Sequence, residues 1–185
     1  MQAEGGKARH FRAALDPETK SCYADSQRSD GQGFIVSDDQ LILAVADRLS
    51  EIPLVAARVE KFCAAAGIPP SLGYTINLAL EELLTNTISY GFDSKSGPSH
   101  AIEVRIRREG EEVVIELSDN GRRFDPLQAP APDLDASIED RLVGGLGVYL
   151  VKTMMDDMQY SYKDGRNRVT LKKRIPRESG PKTSD

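Results

Sequence analysis

Along this chain, apolar positions recur with a helical period in three stretches and alternate with charged ones in two others. In the first helix, Ser50 is placed to cap, Pro53 lies in the first turn and Gly67 is the stop; its stripe is Ile52, Val55, Val59, Phe62, Cys63 and Ala66. Pro69, Pro70 and Ser71 start the second helix, which ends near Gly91. At about 100° per residue, Leu72, Ile76, Ala79, Leu80, Leu83 and Tyr90 gather on one of its faces. Asn77, Glu81 and Thr85 point towards water, while Glu82 and Asn86 fall side by side on the shoulder of the stripe. A carboxylate and an amide there can face a pocket while their helix is anchored in the core. Taken alone, they read equally as an ordinary surface acid and a weak helix former.

A short apolar run, Gln40 to Val45, suits a strand that precedes both helices. Beyond a loop from Asp93 to His100, Ile102, Val104 and Ile106 alternate with charged residues, as do Val113, Ile115 and Leu117. The Glu-Gly-Glu turn at 109–111 makes the pair an antiparallel hairpin with one wet face. The hairpin leads into Ser118-Asp119-Asn120-Gly121. From Leu127 to Val143 the chain is rich in Pro, Ala and Asp, with at most one helical turn around Ile138; a connection that long reads as a functional lid or as disorder. Gly144-Gly145-Leu146-Gly147 then opens a third helix carrying Leu150, Val151, Met154 and Met155. A second hairpin, Met158 to Lys163 and Asn167 to Ile175, turns at Asp164-Gly165. Residues 1–37 and 177–185 are polar and aperiodic, which leaves one domain over 38–176 between a flexible extension and a tail.

Composition narrows the function. With 185 residues, 39% apolar and 29% charged, the chain can bury a full core as a soluble protein. A net charge of -5 and the lack of a basic, aromatic-interleaved stripe argue against nucleic acid as a partner. No apolar run spans a membrane or forms a signal core, so the expected location is the cytoplasm. Cys22 and Cys63 form no metal-type spacing, Cys63 reads as a core residue, and His10 and His100 are isolated.

Three elements remain with chemistry to offer, each ambiguous alone. Asp119 at a strand end can accept a hydrogen bond from the exocyclic amine of adenine, with Gly121 letting the backbone turn closely beneath the base; equally, Asp119-Asn120-Gly121 is a plain turn. Gly144, Gly145 and Gly147 clear side chains where amides at a helix N-terminus could meet phosphate. No Gly-Lys-Ser/Thr follows, so this is not a P-loop, and Leu150 fills the third glycine position of a dinucleotide fingerprint.

In this order the elements resemble the boxes of the GHKL, or Bergerat-fold, ATPases. Glu82-Leu-Leu-Thr-Asn86 followed by Ser-Tyr-Gly looks like the N box, Asp119-Asn-Gly-Arg-Arg-Phe-Asp-Pro126 like the first glycine box, and Gly145-Leu146-Gly147 like the second. The short form is similar to the anti-sigma-factor serine kinases, over roughly Gln40 to Ile175. The resemblance implies an α/β fold, an α+β two-layer sandwich with a mixed, mostly antiparallel sheet covered on one face by helices. It implies ATP and Mg²⁺ as cofactors, with Asn86 holding the metal and Glu82 as general base. Asp119 and Gly121 would bind adenine, and Gly144, Gly145, Leu146 and Gly147 the phosphates. The implied partner is a STAS-domain anti-sigma-factor antagonist, phosphorylated on serine, with a sigma factor as a second partner and a homodimer as the assembly.

Three departures stand beside the resemblance. Arg123 replaces a second glycine, and is open to reading as a phosphate contact or as solvated surface. Asn167 stands where a Thr is frequent, and Leu142-Val143 where the kinases carry an Arg, with Arg141 out of register. The last keeps open an ATP-gated sequestering module with little or no phosphotransfer. A detached histidine-kinase-like ATPase domain is the third reading, opposed by the absence of a dimerising hairpin with a phosphoacceptor His before Gln40.

Overall fold

The structure, a computed structural model, describes residues 34–37, 39–92, 100–128 and 146–176. Six strands form one sheet: β1 (Phe34–Ser37), β2 (Gln40–Val45), β3 (Ile102–Glu109), β4 (Glu112–Asp119), β5 (Asp157–Lys163) and β6 (Arg166–Arg174). Their order is β1-β2-β3-β4-β6-β5, and each neighbouring pair is antiparallel. Helices α1 (Ile52–Ala65), α2 (Pro70–Tyr90) and α3 (Leu146–Met154) form the second layer, with α2 packed against both of the others. The two-layer α/β sandwich expected from the resemblance is therefore present, and among the described strands the sheet is antiparallel throughout. No helix of the described residues is long and apolar enough to cross a membrane.

Period-two alternation places the core on one face. Ile102, Val104 and Ile106 of β3, Val113, Ile115 and Leu117 of β4, and Val169 and Leu171 of β6 are buried beneath α1, α2 and α3. The opposite face carries Glu103, Arg105, Arg107, Glu116 and Arg168, with ion pairs Arg105–Glu103 (2.7 Å) and Arg168–Glu116 (3.5 Å). Ile42 and Val114 point to that charged face yet are only 5% and 4% exposed. Their register partners are long side chains: Ile42 stands opposite Arg105, and Val114 between Arg107 and Lys172, and aliphatic stems of that kind can cover apolar neighbours.

The helices depart from the expected pattern in instructive places. Ser50 does not cap α1. The chain leaves extended geometry at Arg48 and enters a 3₁₀ turn, Leu49–Glu51, whose conformation runs straight into the helix. Ser50 is thus already inside a helical turn, and the buried Glu51 carboxylate takes the local ion pair, with Arg48 Nε at 2.7 Å. The stop at Gly67 is as expected, with φ +64° and the Arg108 guanidinium donating to Ala66 O.

On α2, Tyr90 is 60% exposed rather than core, and it is the last residue of the helix. Leu84, outside the expected stripe, is fully buried and faces Ile52 and Val55 of α1. Asn77 does not point to water: its Nδ2 donates to Ala56 O at 3.5 Å across the α1–α2 cleft. A helix with neighbours on both sides buries a wider arc than one stripe.

The strand before Gln40 was not anticipated, since the polar extension was expected to run through residue 37. Phe34 to Ser37 pair with Leu43 to Gln40 as a short edge strand. Cys63 is a core residue, as expected, and burial with the nearby Glu60 charge pushes its thiol up to about 11. His10, Cys22, the segment from 129 to 145 and the tail beyond 176 lie outside the described residues.

Candidate functional site

Two clusters of functional side chains lie at opposite ends of the second half of α2. The first is built on Glu82 and Asn86. Both are half-buried, between the exposed Glu81 and the buried Leu83 and Leu84, so the shoulder position read from the sequence is occupied. The Glu82 carboxylate lies against the first turn of α3. A Cβ built on Gly147 would stand 2.0 Å from Glu82 Oε2 and 2.8 Å from its Cδ. Only a residue without a side chain lets the acid occupy that place. Leu146, the first residue of α3, is 53% exposed, so its backbone marks the position and its side chain stands clear. The α3 N-terminus, with amides that have no intrahelical acceptor, therefore borders the acid.

The second cluster is built on Asp119, the last residue of β4, whose register partners are Ile102 of β3 and Asn167 of β6. Asp119 is buried. Its Oδ1 accepts from Gly121 N at 2.8 Å and from Asn167 Nδ2 at 2.9 Å. Among the described residues both bonds fall on Oδ1, which leaves Oδ2 to accept from a ligand. Asn120 ties the same turn to β3: Ala101 N donates to its Oδ1 at 2.8 Å, and its N–H donates to Ala101 O at 3.2 Å.

The turn meets the end of α2 with no room to spare. A Cβ on Gly121 would lie 2.4 Å from Gly91 O and 2.9 Å from Asp119 Oδ1. Next to it, Arg122 N donates to Gly91 O at 2.7 Å and the Arg122 guanidinium donates to Tyr90 O. The chain end that closes α2 is thus joined to the Asp-x-Gly turn, and one helix carries the acid at one level and the floor of the turn at the next. Lys152 Nζ of α3 donates to Leu127 O at 2.9 Å, holding the 3₁₀ turn Pro126–Gln128 to the same helix as Gly147.

Six of the eight sequence-predicted site residues are thereby located: Glu82, Asn86, Asp119, Gly121, Leu146 and Gly147. Gly144 and Gly145 lie outside the described residues, as do Arg141, Leu142 and Val143. Arg123 rests with its guanidinium 5.4 Å from the centre of the Tyr162 ring, a cation–π distance. His100 is not isolated: it stacks on Phe92 at 4.1 Å between ring centres, and its Nδ1 meets the Asp47 carboxylate. Sequence reasoning missed Gly91 and Lys152. Gly91 carried only the signal of a helix stop, and nothing local marked Lys152.

No group of three His, Cys, Asp or Glu side chains that could hold a metal occurs among the described residues. Asn86 offers one side-chain amide oxygen to a cation, which would complete its shell with oxygens from outside the protein. That donor set suits a hard ion such as Mg²⁺, which keeps several waters and binds phosphates.

The chain matches the family model of the histidine kinase-like ATPase domain over residues 45–173. It is 36% identical over 102 residues to serine/threonine-protein kinase BtrW of Bordetella bronchiseptica, covering 54% of this chain and 69% of that protein. To serine-protein kinase RsbW of Listeria monocytogenes it is 27% identical over 138 residues, covering 72% and 87%. To anti-sigma F factor of Clostridium botulinum it is 32% identical over 129 residues, covering 64% and 84%. Among solved structures, part of a chain made of the RsbU and RsbW domains of a Mycobacterium tuberculosis protein shares the fold, with a TM-score of 0.54 at 16% identity. That likeness covers 75% of this chain but only 33% of the larger one.

Proposed function

The chain belongs to the histidine kinase-like ATPase family, within it to the protein serine/threonine kinase branch, and from that premise we propose that it phosphorylates a serine of a STAS-type anti-sigma-factor antagonist. The observation that carries the proposal is the double seating of α2. Its Glu82 is lodged against Gly147 at the α3 N-terminus, and its end supports the turn beneath Asp119. One ligand with a base at one end and phosphates at the other fits such a pair of clusters.

In this reading Asp119 Oδ2 accepts from the 6-amine of adenine, and Gly121 keeps the space beneath the base clear. The amides at Leu146 and Gly147 face the phosphates. Glu82 takes the proton from the serine hydroxyl; the serine oxygen bonds to the γ-phosphorus, the bond to the β–γ bridging oxygen breaks, and ADP leaves. Mg²⁺, which Asn86 would hold through its side-chain oxygen, supplies charge neutralisation on the phosphates when bound. Glu82 lies one helical turn from Asn86, which places base and metal ligand within one reacting group's reach.

A sigma factor is the second partner in this reading, supported by the clostridial relative's name, anti-sigma F factor. Leu142-Val143, where the kinases carry an Arg, favours a second reading, a nucleotide-gated module that sequesters its partner without transfer. A phosphotransfer assay separates the two. Labelled ATP and Mg²⁺ are offered with the STAS-domain proteins of the same genome, using Glu82→Gln and Asn86→Ala as comparisons. Label on a serine that vanishes in Glu82→Gln, with ATP binding retained, establishes the kinase and its base. Tight ATP and partner binding without label leaves the sequestering module, and no ATP binding at all refutes both.

A further inference from the structure

Tyr74 is the most exposed large apolar side chain of the described residues, at 73%, and Leu78 on the same helix is 37% exposed. They lie in α2, eight and four residues before Glu82. Residues four apart stand one turn from each other, so Tyr74, Leu78 and Glu82 form a single row that slants by about 40° at each step. At about 1.5 Å per residue, Leu78 is about 6 Å and Tyr74 about 12 Å along the axis from the acid. Single exposed apolar side chains are ordinary on a protein surface, but these two adjoin each other and lead to the proposed base.

The packing of α2 does not use them. Its buried residues run from Leu72 to Leu84 on the other faces, and neither Tyr74 nor Leu78 joins the core. The helix carries no Lys or Arg; its only charges are Glu82 and its neighbour Glu81, which is exposed. The row is therefore apolar and bordered by acid.

Phosphorylating a protein brings a large partner to this place. A serine hydroxyl must come within about 3 Å of Glu82 to give up its proton. The partner's surface around that serine then lies over whatever adjoins the acid. A standard interface covers about 800 Å² on each side, which as a round patch reaches about 16 Å from its centre and takes in both Leu78 and Tyr74.

We infer that Tyr74 and Leu78 form a docking row for the protein substrate. They receive apolar side chains that flank the acceptor serine, about 6 and 12 Å from its hydroxyl, on a surface that presents no acid to Glu81. The inference rests on Glu82 being the base and adds the residues that choose which serine reaches it. The base alone cannot choose, because a carboxylate accepts from any hydroxyl.

Steady-state phosphotransfer tests this in the full chain with Mg²⁺ and ATP, using the STAS-domain protein of the same genome that the wild type labels. The variants are Tyr74→Ala, Leu78→Ala, the double variant and Tyr74→Phe, each also followed by thermal melting and sedimentation. Each alanine should raise KM for the protein substrate about tenfold, the scale of truncating an interface anchor, and the pair about 100-fold. KM for ATP, kcat at saturating protein substrate and the melting temperature should hold within about twofold, because Glu82, Asn86 and Asp119 are untouched. Tyr74→Phe keeps the ring and should behave as the wild type. An unchanged KM for the protein substrate in the double variant overturns the inference, whether or not sedimentation shows that two copies of the chain have parted. A structural role raises both KM values alike and lowers the melting temperature, and that result overturns it equally. A wild type that labels no STAS-domain protein brings down the kinase reading first, and the docking row with it.

Discussion

Replacing Gly147 by alanine should disable the proposed base while leaving the helix that carries it intact. The new methyl carbon would stand 2.0 Å from Glu82 Oε2, 2.8 Å from Cδ and 3.4 Å from Cβ. Ordinary contact begins near 3.4 Å, so the carboxylate must retreat by well over an ångström. Oε2 is the free end of a flexible side chain, so the cost in stability is small. Alanine is also the better helix former by about 1 kcal/mol, which works against any loss of α3. Catalytic geometry is less forgiving: a misplacement of about 1 Å costs on the order of 100-fold in rate, or roughly 2.7 kcal/mol of barrier. Single-turnover phosphotransfer should therefore slow about 100-fold. The melting temperature should hold, and ATP affinity should change by less than about tenfold, because Asp119 and Gly121 are untouched. The decisive comparison is a double-mutant cycle. In a Glu82→Gln background the base is already absent, so Gly147→Ala should add nothing. If Gly147→Ala transfers phosphate at the wild-type rate, or slows the Glu82→Gln protein by a further 100-fold, Gly147 does not act through Glu82 and the reasoning fails.

Gly121→Ala acts differently, because its neighbour is backbone. The Cβ would meet Gly91 O at 2.4 Å and Gly91 C at 3.0 Å, where no side chain can swing aside, so about 1–3 kcal/mol of stability should be lost in thermal melts, together with ATP affinity. Cys63, with its thiol pushed up to about 11, should react with iodoacetamide at pH 8.5 roughly 100-fold more slowly in the native protein than after unfolding, measured in a Cys22→Ser background. Its folded value lies above the unfolded one, so its contribution to stability is complete below about pH 9 and fades as pH rises towards 11, which denaturant titrations across that window would show. Asp156 shifts the other way: the Lys173 ammonium bonded to it, then the Arg174 N–H, hold its carboxyl below the usual range. Its contribution is present above the unfolded value near 3.8 and lost as pH falls through the folded one; Asp156→Asn should cost about 0.5 kcal/mol or less at neutral pH, and wild type and variant should converge in acid.

What the sequence made legible was whatever repeats locally. The strand alternation at Ile102 to Leu117 announces both the hairpin and its buried face, and the turn at Asp164-Gly165 has the positive φ angles, 53° and 75°, that its residue types favour. The helix positions of Glu82 and Asn86 follow from spacing alone. Contacts between distant segments are a different matter. Nothing around Gly147 states that its missing side chain is filled by an acid 65 residues earlier, and nothing around Gly91 states that Gly121 rests on it. β1 was missed because four residues are too few to display a period. Asn167 did leave a trace, a lone amide at the head of the inward series Val169, Leu171. A polar residue in such a series signals a buried partner but cannot say which one.

The double seating of α2 also makes the helix a ruler. From Glu82 to Gly91 it advances nine residues, a rise of about 13.5 Å that no loop can adjust. One residue inserted in that interval would lengthen it by about 1.5 Å and swing everything beyond by about 100°, parting the acid from Gly147 or the helix end from Gly121. Length changes in this chain should be confined to places such as Gly110 in the β3–β4 turn, where an added Cβ would meet nothing within 4 Å. Between Glu82 and Gly91, the number of residues is fixed as firmly as the buried positions Leu83 and Leu84.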